Sequence, residues 1–170
     1  RETAALVEVG RDLSATLDTD ALMERIAAHA KDLLGADNSA IFLAVADGQT
    51  LQTSVALGTI AEQLRTLTIT PGQGIIGTLA RERKAEYVND ANADPRTVQI
   101  AGTEEQAHER IMVAPLLAGN TLKGMMAVWR TGGRLFNDLE LNVLVGLSQQ
   151  AAIAIENARI LSHLDDLVRT

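Results

Sequence analysis

The residues best placed for chemistry are Gly72-Gln73-Gly74-Ile75-Ile76-Gly77, a G-x-G-x-x-G run with an acid, Asp90, downstream. In a dinucleotide site such glycines turn the chain tightly and let backbone approach a pyrophosphate, while the acid takes a ribose hydroxyl. That chemistry needs a buried aliphatic strand before the motif and repeated strand–helix units. Here the preceding stretch, Thr66–Thr70, alternates with threonine and ends at Pro71, and only one such unit exists. The glycines are therefore read as packing a short helix closely on a sheet, not as holding a nicotinamide cofactor.

Other reactive groups are sparse. His29, His108 and His163 lie far apart with no second ligand at metal spacing, so no metal site is expected. His108 precedes a core strand, where an axial haem ligand is conceivable, but haem is not expected. There is no cysteine, which excludes disulfides, zinc knuckles, thiol nucleophiles and a thioether-linked chromophore. Neither a G-x-S-x-G elbow, an H-E-x-x-H pair nor a Walker loop occurs. The acidic pairs Glu104-Glu105 and Asp165-Asp166 read as solvated charge. The expectation is a protein that is not an enzyme.

Stepping outward, Leu6, Val9, Leu13 and Leu17 recur at helical spacing, with a break and cap expected at Asp18-Thr19-Asp20. A second helix runs to about Leu34, stopped by Gly35. Ser39–Val45 and Leu51–Leu57 form two strands around an Asp47-Gly48 hairpin turn. Ile60–Leu67 is a weak helical turn. Pro71-Gly72 ends a short strand, Ile75, Ile76, Leu79 and Ala80 recur on a short helix, and Tyr87-Val88 is a return strand. Residues 90–109 read as a long loop with one helical turn near Glu104–His108; loops of that length in a compact domain are usually functional covers. Arg110–Leu117 is a strand with a bulge or free edge at Pro115, and Leu122–Arg130 is the next. Asn137 or Asp138 caps a last helix reaching about Val168. Leu147, Ala154, Ala158 and Leu161 lie in one of its two apolar stripes and, with Leu6, Val9 and Leu13 of the first helix, are expected to join two copies of the chain, while the other stripe meets the sheet.

At 170 residues the chain suits one domain with a sizeable core. It is 46% apolar but 2% aromatic, so that core must be aliphatic. A net charge of −7 argues against nucleic-acid or anionic-membrane partners, which need basic patches. No stretch is apolar enough to span a bilayer and no signal peptide is visible. The chain begins at Arg1 rather than Met and is expected to be a piece of a longer cytoplasmic protein.

Several segments together resemble the GAF domain over roughly residues 20–160. Ser39-Ala40-Ile41-Phe42-Leu43 is similar to its first strand, Thr70–Gly77 to its most recognisable motif, and Tyr87–Asp90 through Asp94-Pro95-Arg96 to its loop. Met112–Leu117, Leu122–Val128 and Phe136–Leu141 resemble its fifth and sixth strands and the start of its last helix. The resemblance implies an α+β fold: an antiparallel sheet of five to six strands, terminal helices on one face, and a ligand pocket with short helices and loops on the other. It also implies a regulatory sensor module, of the kind found in front of histidine kinase, cyclase or transcription-activator domains, that dimerises through its end helices. The positions matching the cyclic-nucleotide-binding members are Ala40, Ala56, Leu57 and Ala127, with Ile75, Ile76 and Asn92. Ala and Leu cannot hydrogen-bond a purine or cyclic phosphate, so a cyclic nucleotide is not expected. The bilin-binding and methionine-sulfoxide-reducing members act through cysteines, which this chain lacks.

Strand alternation puts Ala40, Phe42, Ser54, Ala56, Met125, Ala127 and Trp129 on the pocket face, and Ile41, Leu43, Val45, Val55, Met126 and Val128 on the helix face. The pocket face suits a small apolar or aromatic ligand. The remaining alternatives are a ligand-free dimerisation module and the effector domain of a transcription regulator.

Overall fold

The computed structural model describes residues 11–45, 49–103 and 109–169. Helix α1 spans Arg11–Leu33, β1 Asn38–Ala44, β2 Leu51–Gly58, α2 Ala61–Arg65, β3 Thr68–Ile69, α3 Gly74–Glu82 and β4 Glu86–Val88. A 3-10 turn at Ala91–Ala93 leads to β5 Arg110–Ala118, β6 Thr121–Arg130 and α4 Asp138–Arg169. The strands form one antiparallel sheet in the order β3-β2-β1-β6-β5-β4. The α+β class expected from the sequence is the one observed.

Alternation along the strands splits the core into two layers. Ile41, Met112, Ala114, Met126 and Val128 face α1 and α4, meeting Met23, Ile26, Ala27 and Ala30 from one helix and Leu144, Leu147 and Ala151 from the other. Ala40, Phe42, Val113, Met125, Ala127 and Trp129 face the opposite way, toward α2 and α3. Both layers are aliphatic, as the composition requires. The central pair β1–β6 is held close by Gly124, where a Cβ would overlap the Phe42 carbonyl oxygen.

Two local expectations change, and the one at Pro115 holds. The break at Asp18-Thr19-Asp20 does not occur: these residues lie within α1, which runs on to Leu33 and ends where the Ala36 amide donates to the Lys31 carbonyl. Capping residues cost a helix interior only tenths of a kcal/mol each, and packing on the sheet outweighs that. Ser54 is the extra residue of a β-bulge, since Ile41 pairs with Val55 but Phe42 pairs with Thr53. It is exposed and leaves the pocket face, while Leu51 and Ala56 keep to it. Pro115 sits in β5 beyond the last β4 pairing, beside a register shift at Leu116/Leu117. The Asp47-Gly48 turn and the helical turn near Glu104–His108 lie outside the described residues, as do Leu6 and Val9. Of the other residues expected to join two copies, Leu147 is buried and Ala154 partly buried against the helix-side core, and Ala158 is half-buried. Leu13 and Leu161 lie in α1 and α4, and their side chains are outside the description. No helix among the described residues is long and apolar enough to cross a membrane.

Candidate functional site

The wall of the site is α3. Pro71 and Gly72 end β3, and the Gln73 side-chain carbonyl accepts from both the amide and the hydroxyl of Thr70 at 3.0 Å, pinning the turn. Gly77 brings the helix against that turn: a Cβ there would lie 2.6 Å from the Thr70 carbonyl oxygen. Ile75, Ile76, Leu79 and Ala80 are thereby pressed onto the sheet and buried.

The cover is the segment from Ala91 to Thr103. The Ala91 amide donates to the Glu109 carbonyl at 2.8 Å, and the Thr97 hydroxyl donates back to the Ala91 carbonyl. Arg96 bridges the cover to β4. Its guanidinium meets Asp94 at 2.8 Å and Glu86 at 2.6 Å. Hydrogen bonds from Arg96 hold the Asp94 carboxyl below the usual carboxylate range, and its two acidic partners, Asp94 foremost, raise the Arg96 pKa. These groups are partly exposed, so their role is to tether the cover, not to store charge in a dry site.

Between wall, cover and sheet lies a cavity of about 230 Å³. Leu67, Thr68 and Ile69 line one end, Gln73–Ile76 the wall, Ala91 and Thr97–Ala101 the cover, and Ile111 and Trp129 the floor. None of these residues carries a charge. The volume exceeds the ~150 Å³ of a cavity that takes benzene. It suits a ring-sized molecule that is neutral and accepts a few hydrogen bonds.

The expected pocket residues are therefore placed unequally. Ile75, Ile76 and Trp129 line the cavity. Ala40, Phe42, Ala56, Met125 and Ala127 are buried in the layer on the same side of the sheet, but are not among the lining residues. Leu57 is displaced: it packs with the helix-side layer, because it alternates with Ala56. Ser54 is displaced by the bulge, and Asn92 is exposed on the 3-10 turn, outside the lining residues. The Thr97–Ala101 lining was missed, although Val98 and Ile100 were the apolar residues of an otherwise polar loop. Ile111 was findable by alternation along β5.

The G-x-G-x-x-G run follows β3 and opens α3, but the sheet is antiparallel, so the βαβ unit of a dinucleotide site is not formed. His29 is exposed on α1; His108 lies outside the described residues. Among the described residues no group of three His, Cys, Asp or Glu side chains could hold a metal.

The site's edge is wired to the start of α4. The Asn89 side chain pairs with the Phe136 backbone, accepting at 2.8 Å and donating at 3.1 Å. The Tyr87 hydroxyl donates to Asp138 at 2.9 Å, a bond that raises the phenol's pKa. Arg130, next to Trp129, is buried under Phe136 with its charge 4.1 Å from the ring centre. It pairs with Glu140 at 2.6 Å and donates to the Leu34 carbonyl at the end of α1. Asn137 caps α4, accepting the Glu140 amide at 2.9 Å.

An antiparallel sheet with paired end helices on one face and a covered, uncharged hollow on the other defines the class of this α+β domain. The sequence profile of the GAF domain matches residues 16–156, and the chain belongs to that family of regulatory sensor domains. The fold is similar to the GAF domain of a phosphoenolpyruvate-protein phosphotransferase from Coxiella burnetii, at 19% identity over 92% of this chain and 97% of that one, with a TM-score of 0.73. It is also similar to the GAF-B domain of DevS from Mycobacterium smegmatis, at 22% identity over 86% and 98%, TM-score 0.70. A free methionine-R-sulfoxide reductase from Neisseria meningitidis, solved with its substrate, shares 18% identity over 83% and 80%, TM-score 0.71. No curated protein matches the chain.

Proposed function

We propose that this domain is a non-enzymatic sensor within a signal-transduction protein such as a sensor histidine kinase, and that it binds a small neutral apolar or aromatic ligand. The observation that carries this reading is the uncharged hollow of about 230 Å³ between Trp129, α3 and the cover segment. A cyclic phosphate buried there would meet no cation among the lining residues, and an unpaired buried charge costs several kcal/mol. The absence of cysteine argues against the reductase chemistry named for one structural relative. A ligand that holds the cover down also bears on β4, and through Asn89 and Tyr87 on the first turn of α4. To shift an output it must bind the two positions of that helix unequally.

The test is a thermal-shift comparison with indole as a neutral probe and cyclic GMP as an anionic one. The wild-type protein should be stabilised by indole and not by cyclic GMP. Ile100→Trp, which fills the hollow from the cover, should remove the indole effect. Stabilisation by cyclic GMP, or an indole shift that survives Ile100→Trp, would refute the assignment.

A further inference from the structure

Two glutamines stand at the mouth of the hollow, and each is held by one half of its amide. Gln73 and Gln99 both line the cavity and are exposed, whereas Ile75, Ile76, Ile111 and Trp129 are buried in its interior. The hollow is therefore apolar within and hydrogen-bonding at its entrance.

The two ends of a glutamine amide are told apart by partners that can only donate or only accept. At Gln73 the partner is the Thr70 backbone N–H, a pure donor, so the atom 3.0 Å from it is the side-chain oxygen. The Thr70 hydroxyl donates to the same oxygen at 3.0 Å. At Gln99 the partner is the Thr103 carbonyl, a pure acceptor, so the atom 3.0 Å from it is the amide nitrogen. The Thr103 hydroxyl donates its own proton to the Ile100 carbonyl at 2.7 Å and accepts from the same Gln99 nitrogen at 3.3 Å. What is left over follows by subtraction. Gln73 Oε1 has both lone pairs engaged, so this residue presents only N–H donors; Gln99 Nε2 has both protons engaged, so this residue presents only acceptor lone pairs. Neither has a further protein partner among the described residues.

We propose that this rim selects a small cyclic amide, a lactam or imide, whose ring enters the hollow while its carbonyl accepts from Gln73 Nε2 and its N–H donates to Gln99 Oε1. This specificity rests on the hollow being the ligand site inferred above, and adds a polar edge to the apolar body assigned there. A cyclic amide carries one acceptor and one donor on adjacent atoms, which matches the pair left free. A carboxylate would set oxygen against the Gln99 lone pairs, and a hydrocarbon would use neither glutamine. Both amides are pinned from within the protein, so little side-chain freedom remains to be lost on binding. Gln73 belongs to the wall and Gln99 to the cover, so a molecule bonded to both ties the cover to the wall.

Oxindole, N-methyloxindole and indole test this specificity on one ring frame. Oxindole carries the lactam carbonyl and N–H side by side; N-methyloxindole keeps only the carbonyl, and indole only the N–H. In titration calorimetry the whole chain should bind oxindole about tenfold or more tightly than either of the others. Gln99→Met, at an exposed position, should lower oxindole to the affinity of N-methyloxindole. Gln73→Glu keeps an oxygen for the Thr70 amide and hydroxyl but turns the free donor into an acceptor. It should weaken oxindole by about tenfold or more and leave indole binding in place, which shows that the hollow is intact. Equal affinity of the wild type for oxindole and indole, or an oxindole preference that survives both substitutions, would overturn the proposal and leave the hollow as the ligand site. Oxindole binding that survives Ile100→Trp, or a wild type that binds none of the three, would overturn the ligand site as well.

Discussion

The two faces of the sheet are closed by different means. On one, two long helices lay regular stripes against Ile41, Met112, Met126 and Val128, and the layer is filled. On the other, a five-residue helix, a nine-residue helix, a 3-10 turn and a loop must cover a comparable area. Short pieces enter at several angles and cannot interdigitate over the whole surface, so a hollow survives beside Trp129. One strand serves both: β6 alternates Met125, Ala127 and Trp129 on the hollow's side of the sheet, Trp129 alone of the three lining it, with Met126, Val128 and Arg130 toward the helices. The contrast teaches that a single β alternation can carry a rigid scaffold and a ligand-sized defect on opposite sides.

The largest effect expected from this contrast is a difference between two truncations. Leu144→Ala, in the filled layer, should cost about 2–5 kcal/mol in chemical denaturation, whereas Ile100→Ala, on the cover of an existing hollow, should cost less than about 1 kcal/mol. Equal costs would mean that both layers are packed alike.

Next in size is Gly77→Ala. In an ordinary helix interior this change stabilises by about 1 kcal/mol. Here the Cβ would sit 2.6 Å from the Thr70 carbonyl oxygen, so α3 must lift, and a loss of about 1–3 kcal/mol is expected together with loss of indole binding. A stabilised variant would show that the close approach of wall and turn is not needed.

The smallest effect concerns the tether. Arg96→Ala should lower global stability by only about 1 kcal/mol, because Arg96 and Glu86 are partly exposed, yet speed amide exchange across residues 91–101. The tether is also pH-sensitive with a definite sign. The Asp94 pKa is lowered in the folded state, so its contribution is present above the unfolded value of about 3.9 and is lost as pH falls through the folded one. Asp94→Asn should therefore be less stable than wild type at pH 7, with the gap closing below about pH 4. A gap independent of pH would assign Asp94 a purely geometric role.

Much of this was legible in the sequence because the governing signals are local. Alternation separated Met125, Ala127 and Trp129 from Met126 and Val128, and Pro71 with the glycines announced the turn into α3. Ser54 went astray because one inserted residue reverses parity, and nothing local marks where a bulge falls. Leu57 went astray with the family's pattern, against its own alternation with Ala56. The continuity of α1 through Asp18–Asp20 depends on sheet packing, which the chain's capping residues do not reveal. The choice between adjacent stripes of α4 likewise required knowing where α1 lies.

The central claim is that the sheet face away from the long helices encloses a space open to a neutral molecule. A crystal structure of the whole chain pressurised with xenon tests it directly. The account predicts a xenon atom between Trp129, Ile75, Ile76 and Ile100, and none in the layer beneath α1 and α4. Xenon absent from that hollow, or bound instead under the helices, would contradict it.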